Sequence, residues 1–371
     1  VAYSHLFQPL TLRGLTLKNR ALVAPMCQYS AADDGIPTDW HLMHLGAFAT
    51  GGFSLVTAEA TGVVPEGRIS PGDLGLWNDE QIGAFSRIAD FVHENGQGAA
   101  FGIQLAHAGR KASTYHALPG YPSGSLSPED GAWTTVAPTE EPFGDFDAPH
   151  AMTETEILDT AEAFASATRR AVEAGVDTVQ IHAAHGYLLH EFLQKAVNTR
   201  DDQWGGDDLE NRMRFPLEVV RRVREVLPEH MPLMLRVSAV DWREEWGTEA
   251  GRRANDEDLA DITEFVRRAG ELGVDMVDVS SGGNLVQPNV KPVPGYQTEF
   301  AAHIRRETGV VTSAVGIITD PIQAEHTVAT GQADAVSIGR EALRDPRWAL
   351  RAADELRQDI EWPGQFYRAH R

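Results

Sequence analysis

Along this 371-residue chain, short apolar runs alternate with longer stretches of helical pattern, in which apolar residues return every three or four positions. The runs are ALVAPM (21–26), FSLVTAE (53–59), AAFGIQLAH (99–107), TVQIHAA (178–184), PLMLRVSA (232–239), MVDVSS (276–281), VVTSAVG (310–316) and AVSIGR (335–340). Most are apolar throughout instead of alternating, as strands covered on both faces must be. Helix starts are legible at Asn78 with Gln81, Thr153 with Glu156, and Asp320 followed by Pro321. Helix ends are legible at Gly96, Gly175 and Gly273, where glycine is expected to take the left-handed cap conformation. Eight strand-then-helix units predict an α/β fold, a (β/α)8 TIM barrel formed as one domain by residues 1–371. A doubly wound sheet would carry an early G-x-G-x-x-G, and the chain has none.

Three segments fall outside the repeat. Within residues 1–20, LFQPLTLRGLTLK (6–18) predicts a β-hairpin about Arg13-Gly14 that plugs the bottom of the barrel. Residues 113–150, rich in Pro, Gly and Ser, are too long for an ordinary connection and follow the third strand, so they belong to the catalytic face. Tyr115, Tyr121, Trp133, Phe143 and Phe146 are expected to anchor this excursion. The tail, 356–371, ends in QFYRAHR.

Composition narrows the classes of function. With 32 basic and 54 acidic residues the net charge is -22, which repels nucleic acid and anionic membrane surfaces, so any anionic ligand must be met by a local basic patch. No apolar run is long enough to span a bilayer, and VAYSHLFQPLTLRG has no signal-peptide pattern, so a cytoplasmic location is expected. A single cysteine, Cys27, excludes an internal disulfide and a four-cysteine cluster within the chain. Only Lys18, Lys111, Lys195 and Lys291 are lysines, a bias that salt adaptation and genome composition explain equally well.

In a barrel the chemistry sits at the C-terminal ends of the strands. The first strand ends Ala24-Pro25-Met26-Cys27-Gln28-Tyr29, the second reaches Ala60, and the third carries Gln104 and then His107-Ala-Gly-Arg110-Lys111. The fourth gives His182 and, in the following turn, His185 and Tyr187. Arg236 sits inside the apolar fifth strand, where it must be paired or face an anionic ligand. Gly316 and Gly339-Arg340 follow strands seven and eight, the usual phosphate-binding place. His182 and His185 could be zinc ligands of a metal-dependent barrel hydrolase or aldolase, two core histidines, or paired N–H donors to one substrate oxygen. No adjacent carboxylate or cysteine completes a metal site, so none is expected.

These motifs resemble the Old Yellow Enzyme family of FMN-dependent ene-reductases. APMCQY (24–29), QLAHAGRKA (104–112), HAAHGYLLHEFL (182–193) and NTRDDQWGGDDLENRMRF (198–215) carry the likeness, which extends from Phe7 to Arg340. The resemblance implies FMN held by Ala24, Pro25, Met26, Cys27, Ala60, Gln104, His182, Arg236, Gly316, Gly339 and Arg340, with NADPH or NADH as hydride donor. It implies that His182 and His185 bind the activating oxygen of an α,β-unsaturated carbonyl or nitro compound and that Tyr187 delivers the proton. Cys27 and Tyr29 resemble the xenobiotic reductase and thermophilic-like branch, where both lie on the substrate side. Arg368 matches a tail arginine that completes a neighbouring subunit's site, which implies a homodimer or homotetramer. Substrate choice is expected to reside in 113–150 and in VDWREEWGTEAGRRAND (240–256).

Overall fold

The computed structural model describes residues 4–32, 34–244 and 248–369. Eight parallel strands close into a barrel in chain order: β1 (Ala21–Val23), β2 (Leu55–Gly62), β3 (Ala100–Ala106), β4 (Thr178–Ala183), β5 (Leu233–Ser238), β6 (Met276–Ser280), β7 (Val311–Ala314) and β8 (Ala335–Ile338). Each falls within or across one of the eight apolar runs, and nearly every strand residue is buried. Pairing of β8 with β1 closes the ring, Val336 opposite Ala21 and Ile338 opposite Val23.

The helices between strands start where local chemistry says they should. Thr153 and Glu156 form a reciprocal capping box ahead of Glu154–Glu173, and the Asp320 side chain accepts from the backbone N–H groups of Ile322 and Gln323. The Asn78/Gln81 box forms too, but it caps a short 3-10 turn, Asp79–Gln81, that leads into Ile82–Asn95. Gly175 (φ 85°) and Gly273 (φ 103°) take the left-handed conformation. Gly96 does not: its φ is -88°, and Gln97 and Gly98 make the left-handed step instead. What Gly96 needs is room, because a Cβ there would lie 2.5 Å from the Val92 carbonyl oxygen.

The N-terminal hairpin pairs Leu10–Leu12 with Leu15–Leu17 about Arg13-Gly14. Leu12 and Leu17 pack with Leu22, Leu55, Ala100, Met234, Met276 and Ala335, residues at or near the first positions of their strands. The hairpin therefore seals the barrel's N-terminal end and leaves the other end for chemistry. Leu17→Ala is expected to lower the unfolding free energy by about 2–4 kcal/mol in a denaturant titration while leaving ligand binding unchanged, because the cavity it creates is at the sealed end.

The 113–150 segment is ordered rather than a linker. Tyr115 Oη donates to Asp130 (2.6 Å), Trp133 Nε1 donates to the Glu66 carbonyl (2.9 Å), and the rings of Phe143 and Phe146 pack edge to face. Tyr121 differs from expectation: it is 54% exposed, resting against His116 without entering the core. The 240–256 loop includes residues 245–247, outside the described residues.

Candidate active site

Register brings the predicted residues to one end of the barrel. Ala60 pairs with Gln104 after an irregularity between Ala58 and Ala60, and Gln104 pairs with Gln180. His182, Arg236 and Asp278 are opposite one another on β4, β5 and β6. Ala24 donates its backbone N–H to the Ile338 carbonyl, and Gly339 lies against Met26 and Ala24, so the first and eighth strand ends are neighbours.

His182 is buried, and His185 sits in the turn beyond it with φ 59°, a left-handed conformation rare outside glycine. Its ring is oriented so that Nδ1 lies 3.4 Å from His182 Nε2. The other nitrogen, Nε2, lies 2.8 Å from Ser280 Oγ. If the serine hydroxyl donates there, the His185 proton resides on Nδ1, facing His182. A carbonyl oxygen placed over this gap is within hydrogen-bond range of both imidazoles. Burial pushes both histidines well below the ordinary value, and the positive charge of Arg236 adds to that, so the pair is neutral. Neutral imidazoles donate one hydrogen bond each without bringing a charge into the cavity.

Tyr187 caps the short helix Leu188–Leu193, and its ring packs edge-on against His182 at 5.1 Å. Burial, reinforced by Cys27 and Tyr29, holds its phenol well above the ordinary value, so it carries its proton throughout the neutral range. The Cys27 thiol is likewise pushed up by burial and by the Asp73 and Glu59 carboxylates, which makes it a neutral thiol rather than a thiolate. Glu59 also accepts the Gln28 N–H at 2.9 Å, tying the Cys27 loop to β2. Ala60, Asp73 and Tyr187 line one narrow cleft.

A cavity of about 380 Å³ runs from His185 and Ser280 to Gly316, Gly339, Arg340 and Arg344. That size is within the range of small-molecule sites. Gly316 adopts φ 123°, and a Cβ there would lie 2.7 Å from Gln297 Nε2, so only glycine keeps this wall of the cavity open. Two arginines at the same end suit a phosphate. The buried polar groups also fit a flavin at the inner end, because His182 Nδ1 and Arg236 Nε have no hydrogen-bond partner there.

Arg236 has a neighbour that the sequence reading overlooked. Asp278 Oδ2 lies 3.4 Å from its Nε, so the arginine does not depend on an anionic ligand alone. Burial raises the Asp278 pKa, and Arg236, Ser337 and Ser313 oppose that rise. The signal was visible as an acidic residue inside the apolar run MVDVSS. Gln180, whose Oε1 accepts from Gln104 Nε2 at 2.7 Å, was overlooked in the same way in TVQIHAA. Arg368 is exposed in Gly364–Ala369, with Nε 3.0 Å from Tyr367 Oη.

No group of three His, Cys, Asp or Glu side chains among the described residues could hold a metal ion. No helix among them is long and apolar enough to cross a membrane.

The profile of the NADH:flavin oxidoreductase / NADH oxidase family matches residues 5–359. An NADPH dehydrogenase of Geobacillus thermodenitrificans is 45% identical over 368 residues, 99% of this chain and 98% of that protein. Among solved structures, a morphinone reductase superposes with a TM-score of 0.75 at 25% identity, over 97% of this chain and 91% of the other. An old yellow enzyme homologue from Zymomonas mobilis gives 0.73 at 25% identity, over 96% and 94%.

Proposed function

The chain belongs to the NADH:flavin oxidoreductase / NADH oxidase family, the Old Yellow Enzymes, and on that premise we propose that it is an FMN-dependent ene-reductase that takes hydride from NADPH and saturates the C=C bond of α,β-unsaturated carbonyl or nitro compounds. The strongest support for the substrate class is the pair of neutral imidazole nitrogens, 3.4 Å apart, beside a protonated tyrosine. The NADPH preference rests on the relative of 45% identity, an NADPH dehydrogenase.

Bound FMN supplies the hydride chemistry between two half-reactions. Gly316, Gly339 and Arg340 would hold its phosphate, Ala24, Pro25, Met26, Cys27 and Ala60 would flank the ring, Gln104 and Arg236 would donate to its polar edge, and His182 Nδ1 would accept there. His182 and His185 hold the substrate oxygen and stabilise the negative charge that gathers on it as the β-carbon is reduced. Tyr187 then gives its proton to the α-carbon, and the pair's N–H groups release the neutral oxygen. Cys27 as a neutral thiol and Tyr29, whose phenol burial pushes up, contribute uncharged groups to the substrate side. Arg368, exposed on its own chain, would serve a neighbouring copy in a homodimer or homotetramer.

The purified protein is expected to be yellow, with flavin absorbance near ~450 nm. Under anaerobic conditions NADPH should bleach it and 2-cyclohexenone should restore the colour with formation of cyclohexanone. Bleaching that the enone cannot reverse would count against the ene-reductase reading, and a colourless protein would favour the metal-dependent alternative.

A further inference from the structure

We propose that Lys111 is a positioning residue of this site, a cationic clamp that fixes the His185-Gly186-Tyr187 turn by binding main-chain oxygens on both sides of it. The proposal rests on the reading of that turn as the segment that binds and protonates substrate. Lys111 Nζ donates to the carbonyl oxygen of His185 at 2.8 Å and to that of Gly283 at 3.0 Å. It also stands over the Tyr187 ring at 5.0 Å and over the Phe143 ring at 4.6 Å. One ammonium thus joins the third, fourth and sixth strand loops and the 113–150 excursion.

The turn needs such a restraint. His185 carries φ 59° without being glycine, a conformation that persists only when its surroundings impose it. Gly186 and Gly283 are pressed together so closely that a Cβ on Gly186 would lie 2.1 Å from the Gly283 carbonyl oxygen, and one on Gly283 would lie 2.0 Å from the His185 carbonyl carbon. Two carbonyl oxygens are thereby brought towards one side of the contact, where their dipoles repel unless a cation lies between them. Lys111 is that cation.

Its own backbone is held from the opposite direction. Glu191, four residues after Tyr187, accepts the Arg110 N–H at 3.0 Å, and Gly109 packs so tightly on Glu191 that a Cβ would lie 2.3 Å from Oε1. The helix after β4 therefore fixes the main chain at Gly109 and Arg110, and the Lys111 side chain in turn fixes the β4 loop. The second N–H of the turn, that of Gly186, goes to His190 Nδ1 at 2.9 Å. Burial lowers the Lys111 pKa to about 8, with the Glu191 and Asp241 carboxylates raising it and Arg110 lowering it. The ammonium in turn helps keep His182 and His185 neutral. An arginine's planar fork does not offer the same compact charge between two carbonyls.

The test compares flavin-loaded wild-type protein with Lys111→Met and Lys111→Gln. Hydrogen exchange of the amides in 184–188 is measured without ligand, and p-hydroxybenzaldehyde binding is read from the change in flavin absorbance. Lys111→Met is expected to speed exchange in that segment and to weaken phenol binding roughly tenfold or more, with flavin content unchanged. Lys111→Gln, which keeps an N–H donor but no charge, should recover part of both effects. Exchange in 184–188 equal to wild type in both variants, or faster exchange with undiminished phenol affinity, would overturn the clamp. Failure of the wild-type protein itself to bind the phenol would count against the proposed function, and the exchange comparison alone would then decide on the clamp. Should Lys111→Met not fold, the same readings on Lys111→Gln carry the test.

Discussion

Replacing His182 and His185 together by alanine is expected to lower kcat/KM for 2-cyclohexenone by about a thousandfold or more while the protein remains yellow. The size follows from the geometry. The two nitrogens lie 3.4 Å apart, with His182 buried and His185 half-buried at the cavity wall. Removing one preorganised donor to a developing oxyanion typically costs about two to three orders of magnitude, and the two act on the same oxygen, so the double loss is less than the product of the single ones. Flavin retention is expected because the proposed phosphate end, at Gly316, Gly339 and Arg340, is untouched. Binding of p-hydroxybenzaldehyde separates the roles: unchanged affinity in the double variant would remove the oxygen-binding assignment whatever happened to turnover.

Tyr187→Phe should slow reoxidation of reduced flavin by the enone by about a hundredfold to ten thousandfold, the usual worth of a positioned general acid. Reduction by NADPH should change little, because that half-reaction needs no proton at the α-carbon. Equal slowing of both halves would indicate that the ring merely shapes the cavity beside His182. The electrostatics add a second expectation. Since burial holds the Tyr187 phenol well above its ordinary value, the wild-type rate of reoxidation should show no loss attributable to this group as pH rises towards 10. A phenol whose pKa is raised is also a weaker acid, so transfer must be driven by the basicity of the carbanion-like carbon that follows hydride arrival.

Much of this candidate site is legible in the sequence. His182, His185 and Tyr187 share a single stretch that begins at a strand end, and a barrel has only one place to put strand ends. Arg236 was legible because a charge in an apolar strand must be answered. Its partner Asp278 was missed because the two are 42 positions apart and become neighbours only through the register of β5 on β6. Lys111 lies in QLAHAGRKA, but its task is not legible there, since a lysine's reach depends on where its four-carbon stem can turn. The Gly96 cap was misjudged because glycine has two uses, positive φ and the absence of a Cβ, and sequence alone does not say which is in play.

The sequence by itself determined the eight-unit barrel, the sealing hairpin and the end at which the chemistry occurs, because hydrophobic periodicity, caps and strand ends are local properties of the chain. Only the tertiary structure decided what the groups do to one another. Strand register sets His182 beside Arg236 and Arg236 beside Asp278, and burial fixes the histidines as neutral and the tyrosine as protonated. The left-handed turn at His185 brings two nitrogens to one point. Distances and desolvation are properties of packing between segments far apart in the chain, and no pattern along one strand or helix contains them.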